Sequence, residues 1–282
     1  MPSNLETESG FAPSGDTQIY FETAGSGPPL VFLHAGVSDL RMWDPQFDLF
    51  SHRFRVVRYD HRGFGKTRST HTPFMLHEDL LSVMRFLGIA RAVLVGCSMG
   101  GTTAVDFALA YPDMVDALVL SGSGLSGWTW SPEIVKLMTE IFERVGAGDV
   151  EGARQLEERF WLDGPRDSGS IDPIYRARAS ALYADNFRPE LWTIQPQPPS
   201  PPSSERLAEI KAPALVVIGD CDAPDLHKIA NLLVSEINGA RLATIQNAAH
   251  MPNLEHPDQF NRLVMDFFDA LPHPKKVQSP AR

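Results

Sequence analysis

The chain has 282 residues, 43% of them hydrophobic, which suits one large domain, or one domain with an insert, around a sizeable core. Its 25 basic and 35 acidic residues leave a formal charge of −10, which argues against a nucleic-acid partner and reads as solubility. No apolar run is long enough to predict a membrane span, the first ten residues lack the basic-then-apolar pattern of a secretory leader, and two cysteines, Cys97 and Cys221, are too few for a disulfide framework, so a cytoplasmic protein with free thiols is expected.

Residues 1–16 read as a flexible N-terminal tail. Gln18-Ile19-Tyr20-Phe21-Glu22 is a short strand that ends in the turn Ala24-Gly25-Ser26-Gly27-Pro28-Pro29. Leu30-Val31-Phe32-Leu33-His34 is nearly all apolar, as a strand covered on both faces should be. A short helix around Met42–Phe47 and a strand over Phe54–Asp60 follow. Leu76, Leu80, Leu81, Val83, Met84 and Leu87 then mark a helical stripe. Ala92-Val93-Leu94-Val95 is a strand running into Gly96-Cys97-Ser98-Met99-Gly100-Gly101, after which Thr102–Ala110 is helical. Ala117–Leu120 is another buried strand. Helical stretches near Pro132–Val145, Val150–Phe160 and Asp172–Tyr183 come next, and then a stiff Pro-rich linker, Gln195–Pro202. Two further strands, Ala214–Gly219 and Arg241–Ile245, alternate with helices, the last over about Pro257–Leu271. A polar tail, 272–282, closes the chain.

Strands alternating with helices predict an α/β protein with a mostly parallel, doubly wound sheet. In such sheets ligands bind beyond the carboxyl ends of the strands. Residues 17–124 and 205–271 form the core, and residues 125–204 form a helical lid with its Pro-rich linker, inserted after the sixth strand. Most lid aromatics are expected to make the lid's own small core, with one or two facing a pocket.

The Gly96–Gly101 segment carries the chemistry. A strand, a very tight turn and a helix place Ser98 at the reversal, where glycines at 96 and 100 permit close backbone approach. The N–H of Met99 then sits at a helix N-terminus, a natural anion site. A serine hydroxyl needs a base, and the base needs a group to fix its tautomer. Of nine histidines, His52, His61, His71, His77, His256 and His273 are expected at the surface, His34 is expected to shape its loop, and His227 is expected on a helix. His250 follows the last strand in a small-residue loop and is the candidate base. The loop Asp220-Cys221-Asp222-Ala223-Pro224-Asp225 offers three acids. Asp222 has the best reach, although it could instead cap the next helix.

The order Ser98, Asp222, His250 and the motif around Ser98 resemble the α/β-hydrolase superfamily. Gly96–Gly101 looks like its nucleophile elbow, His34-Ala35-Gly36 like its oxyanion loop, and Asp60-His61-Arg62-Gly63-Phe64-Gly65 like its glycine turn. Ala35 stands where that family usually has Gly, and Met42-Trp43-Asp44-Pro45-Gln46 is similar to the oxoadipate enol-lactonase branch. The resemblance implies acyl transfer to water, with Ser98 as nucleophile, His250 as base, Asp222 as its orienting acid, and the N–H groups of Gly36 and Met99 holding the oxyanion. Val37, Trp128 and Trp161 are candidates for substrate contact. Neither metal nor organic cofactor is needed. The expected activity is hydrolysis of small or medium carboxylic esters. Lactonase and carbon–carbon hydrolase chemistry on the same residues are alternatives, and a triad-bearing small-molecule receptor is the alternative outside enzymes.

Overall fold

A computed structural model describes residues 6–68, 72–189 and 196–271. His71, Trp192, Gln195 and the 272–282 tail lie outside the described residues. Eight strands form one sheet: β1 (Glu8–Ser14), β2 (Thr17–Ala24), β3 (Pro29–Leu33), β4 (Arg55–Tyr59), β5 (Ala92–Cys97), β6 (Val115–Ser121), β7 (Ala214–Gly219) and β8 (Arg241–Ile245). Their spatial order is β1-β2-β4-β3-β5-β6-β7-β8. The pairings from β4 through β8 are parallel, and β2 joins β1 and β4 antiparallel.

The helices are α1 (Asp44–Ser51), α2 (Leu76–Phe86), α3 (Met99–Ala110), α4 (Pro132–Gly146), α5 (Val150–Glu158), α6 (Pro173–Asn186), α7 (Pro224–Glu236), α8 (Pro252–Glu255) and α9 (Pro257–Asp269). Successive residues of a strand face opposite sides of the sheet. Val31, Leu33 and Leu94 accordingly meet α2, α3 and α7 through Leu80, Met84, Phe107 and Leu233. Leu30, Phe32 and Val95 meet α1 and α9 through Phe47, Phe50, Phe260 and Val264. Both faces are covered, which is why the central strands read as unbroken apolar runs.

One expectation is corrected. The stretch taken as part of a flexible tail contains β1, paired in register with β2 over Glu8–Ser14. Gly10 and Pro13 disguise it, and both suit an edge strand with one partner. Ala12 and Ser14 are its buried anchors, and the Ser14 hydroxyl donates to Asp79 of α2.

Between β6 and β7 the chain forms α4, α5, a π-helical turn over Arg159–Asp163, and α6. Leu137, Ile141, Ala153 and Phe187 make a small core within this insert. Tyr175 and Tyr183 of α6 pack instead with the sheet-facing core. The two ends of the insert meet at Asp106 of α3, whose carboxylate accepts from Ser126 Oγ (2.8 Å) and Ser203 Oγ (2.5 Å).

Candidate active site

Ser98 follows β5 and is the N-cap of α3, with φ +53° and ψ −114°. A positive φ in a residue with a side chain is uncommon and tends to mark a functional site. Three backbone hydrogen bonds hold it: its N–H donates to Ser121 O, and its carbonyl accepts from the N–H groups of Thr102 and Gly124. The flanking glycines are required by space. A Cβ on Gly96 would lie 2.3 Å from the Gly100 carbonyl oxygen, and one on Gly100 would lie 2.1 Å from that of Leu33. Because those obstacles are backbone, Gly100→Ala is expected to cost about 3 kcal/mol or more in denaturant unfolding.

His250 lies beyond β8, and its Nδ1 is 3.1 Å from both carboxylate oxygens of Asp222, beyond β7. Both side chains are buried. The three aspartates of that loop divide their work. Asp222 meets His250 and accepts from the N–H of Ala223. Asp220 accepts from the N–H of Ala248 (3.3 Å), tying the loop of Asp222 to the loop of His250. Asp225, in the first turn of α7, accepts from Trp128 Nε1 and the N–H of Ser131. Gly122 (φ +48°) approaches the pair closely, since a Cβ there would lie 3.1 Å from Asp222 Oδ2 and 3.2 Å from His250 Nδ1.

His34 shapes the loop that carries Gly36. Its Nδ1 is 2.7 Å from the Ala35 carbonyl oxygen, which can only accept, so Nδ1 carries the proton and Nε2 accepts from the N–H of His61 (2.8 Å). Burial holds His34 neutral, with its pKa lowered to about 4. Below it the Asp60 carboxylate accepts from the N–H groups of Leu40 and Lys66, and Arg62 pairs with Asp79 and Asp16. The glycine turn is thus a brace between β4, α2 and the loop after β3.

A cavity of about 580 Å³ is lined by Gly36, Val37, Ser98, Met99, Trp161 and His250 among others. That is the size range of small-molecule sites. The Met99 N–H, at the first position of α3, has no partner within its own helix. Val37 takes φ +49°, a strained conformation for a β-branched residue, and lines the cavity. Among the described residues no group of three or more His, Cys, Asp or Glu side chains is placed to hold a metal ion.

A family model of the alpha/beta hydrolase fold matches residues 28–257. The chain belongs to the α/β-hydrolase family. It is 32% identical over 270 residues to a 2-hydroxy-6-oxononadienedioate/2-hydroxy-6-oxononatrienedioate hydrolase of Burkholderia vietnamiensis, covering 89% of this chain and 91% of that one. It is 30% identical over 266 residues to a 2-hydroxy-6-oxo-6-phenylhexa-2,4-dienoate hydrolase of Comamonas testosteroni, with the same coverage. The enol-lactonase structure from Burkholderia xenovorans LB400 superposes with a TM-score of 0.77 at 26% identity, over 92% of this chain and 100% of that one.

This α/β-hydrolase departs from its sequence reading at several side chains. Trp128 is not in the cavity wall; it packs against the α7-side core and donates to Asp225. The ring that does line the wall near it is Trp130. Phe142, Trp161 and Tyr183 line the cavity too, so more insert aromatics face it than the one or two expected. His61 and His77, expected at the surface, are buried. His61 stacks edge-on between His34 and Tyr59, and burial pushes its pKa well down.

Trp161 lines the cavity with Ser98, where the sequence places it as a candidate for substrate contact, but its contact with His250 and the role of Arg166 are not anticipated there. Trp161 lies over the His250 ring, with centroids 4.5 Å apart, and its carbonyl accepts from the His250 N–H (3.2 Å). Arg166 forms a buried ion pair with Glu255 (2.6 Å) and donates to the Asn247 carbonyl, while Glu255 also accepts from the N–H of Ala249. The insert therefore clamps the loop that carries His250. Arg166→Ala strands a buried carboxylate, and an unfolding titration should show a loss of about 3–5 kcal/mol.

Proposed function

We propose that this hydrolase cleaves carboxylic esters or lactones that carry no anionic group, through an acyl-enzyme on Ser98. His250 Nε2 takes the Ser98 proton as the hydroxyl attacks the carbonyl, and later returns it to the leaving alcohol. Asp222 keeps the proton of neutral His250 on Nδ1, leaving Nε2 free to accept, and stabilises the imidazolium that forms. The N–H groups of Met99 and Gly36 receive the oxyanion; one such donor typically contributes about 10²–10³ in rate. Water then attacks the acyl-enzyme by the same proton path. The leaving oxygen is the alcohol of an ester or the ring oxygen of a lactone, so one mechanism serves both.

The charge of the cavity supports this substrate class. Among the described lining residues the charged side chains are Asp106 and Glu157, with no lysine or arginine, and Trp130, Ile134, Val135, Met138 and Phe142 are among the apolar ones. A neutral acyl chain enters such a cavity without opposition. A dioate or dienoate would bring a carboxylate toward two others in a poorly solvated space. Carbon–carbon bond hydrolysis is the second reading, favoured by the identity to hydrolases of that named class. Parallel assays with nitrophenyl esters, five- and six-membered lactones and a vinylogous diketone, with Ser98→Ala as the blank, separate the readings. Multiple turnover of esters or lactones is expected. Turnover confined to the diketone would favour the second reading, and a single slow turnover would favour a receptor.

A further inference from the structure

The second cavity carboxylate stands apart from the first. Asp106 is engaged by Ser126 and Ser203. Glu157, at the end of α5, is only 8% exposed. Among the described residues neither of its oxygens meets a hydrogen-bond or ion-pair partner, and its neighbour Glu158 takes Arg154 and Arg176 instead. It sits one turn after Ala153, on the buried stripe of its helix, where an apolar residue would be ordinary. It lines the same cavity as Ser98. Its carboxyl oxygens open on the cavity without a protein donor, so cavity water or a ligand must supply the donors, and a ligand that does so gains a largely desolvated anion as its partner.

We propose that Glu157 is a specificity residue that receives a primary ammonium group carried by the substrate, distal to the bond cleaved at Ser98. This deepens the ester and lactone reading and rests on it. A compact cation supplies several donors and neutralises the carboxylate, and a charged pair in a poorly solvated site gains more than a neutral hydroxyl would. The surroundings leave the role open to a ligand. From α4 the cavity receives Ile134, Val135, Met138, Thr139 and Phe142; from α6 it receives Tyr183; from the sheet side its titratable residues are Asp106 and His250. None of these is a permanent cation. Burial accordingly lifts the Glu157 carboxyl to about 7.

The test uses the intact chain and two readouts. Calorimetric titration of hexylammonium and of hexanol into the wild type and Glu157→Gln near pH 8 measures binding without turnover. Hexylammonium should bind the wild type and lose about tenfold or more in Glu157→Gln, as expected for one charge-assisted contact, while hexanol shows no such selective loss. The kcat/KM ratio of nitrophenyl 6-aminohexanoate to its isostere, nitrophenyl heptanoate, should fall by a similar factor. Glu157→Gln and Glu157→Leu should both melt higher than the wild type near pH 8. That gap narrows as the pH falls from about 7 and closes below about 4.5, where the unfolded chain also carries the proton. Equal hexylammonium binding in wild type and variant, no binding to the wild type, or a lower melting point of both variants near pH 8 would overturn the proposal. Failure to hydrolyse any of these esters, charged or neutral, would sink the ester reading alone, since the binding comparison needs no turnover.

Discussion

Ser98→Ala should lower kcat for a nitrophenyl ester by about a millionfold, leaving only the roughly 10³–10⁴-fold acceleration over water that an anion site and binding supply, with substrate affinity largely kept. The size follows because, among the described residues, the other small hydroxyls of the cavity wall are engaged, that of Thr139 with the Val135 carbonyl. Thr102 and Thr103 line the cavity, but their hydroxyls donate back to the carbonyls of Ser98 (3.3 Å) and Met99 (2.9 Å). The Ser126 hydroxyl is given to Asp106. The adjacent Cys97 is fully buried, and burial pushes its thiol pKa well up, so no thiolate is at hand. Removing one oxygen therefore removes covalent catalysis and leaves the anion site and binding intact. Burst kinetics with a stopped-flow assay check it, the wild type giving an acyl-enzyme burst and the variant none.

Asp222→Asn should cost about 10⁴ in kcat while leaving the fold in place. The carboxylate accepts from His250 Nδ1 and from the Ala223 N–H. An asparagine can keep the backbone contact through its carbonyl oxygen, so the loop should hold. Its amide N–H₂ then faces Nδ1, favouring the tautomer with the proton on Nε2. That nitrogen can no longer take the Ser98 proton. Steady-state kinetics beside a circular dichroism spectrum separate the two effects; a loss of less than tenfold would remove Asp222 from the mechanism.

What the sequence made legible was local. The strand, turn and helix around Ser98 are specified by residues within a dozen positions, and the glycines that permit the turn are in the motif itself. The Asp222–His250 pair could be anticipated because both follow strands of one parallel sheet, and such sheets collect their loops at one edge. What stayed hidden was decided across the fold. β1 has weak apolar patterning because an edge strand buries little. His61 looks like a turn residue until β3 and β4 bring it against His34. Trp128 and Trp130 are two residues apart, and only the path out of β6 decides which reaches the cavity. Arg166 meets a partner 89 residues away, a contact no spacing announces. Glu157 left one readable trace, a carboxylate on the buried stripe of α5.

Ser98 at the β5–α3 turn is the proposed nucleophile and the centre of the proposed mechanism, and covalent labelling tests it most directly. The protein is treated with a fluorophosphonate and mapped by peptide mass spectrometry. One phosphonyl adduct on Ser98, strongly reduced in His250→Ala and coincident with loss of ester turnover, is the predicted result. An unlabelled Ser98, or an adduct elsewhere while Ser98→Ala still turns over substrate, would contradict it.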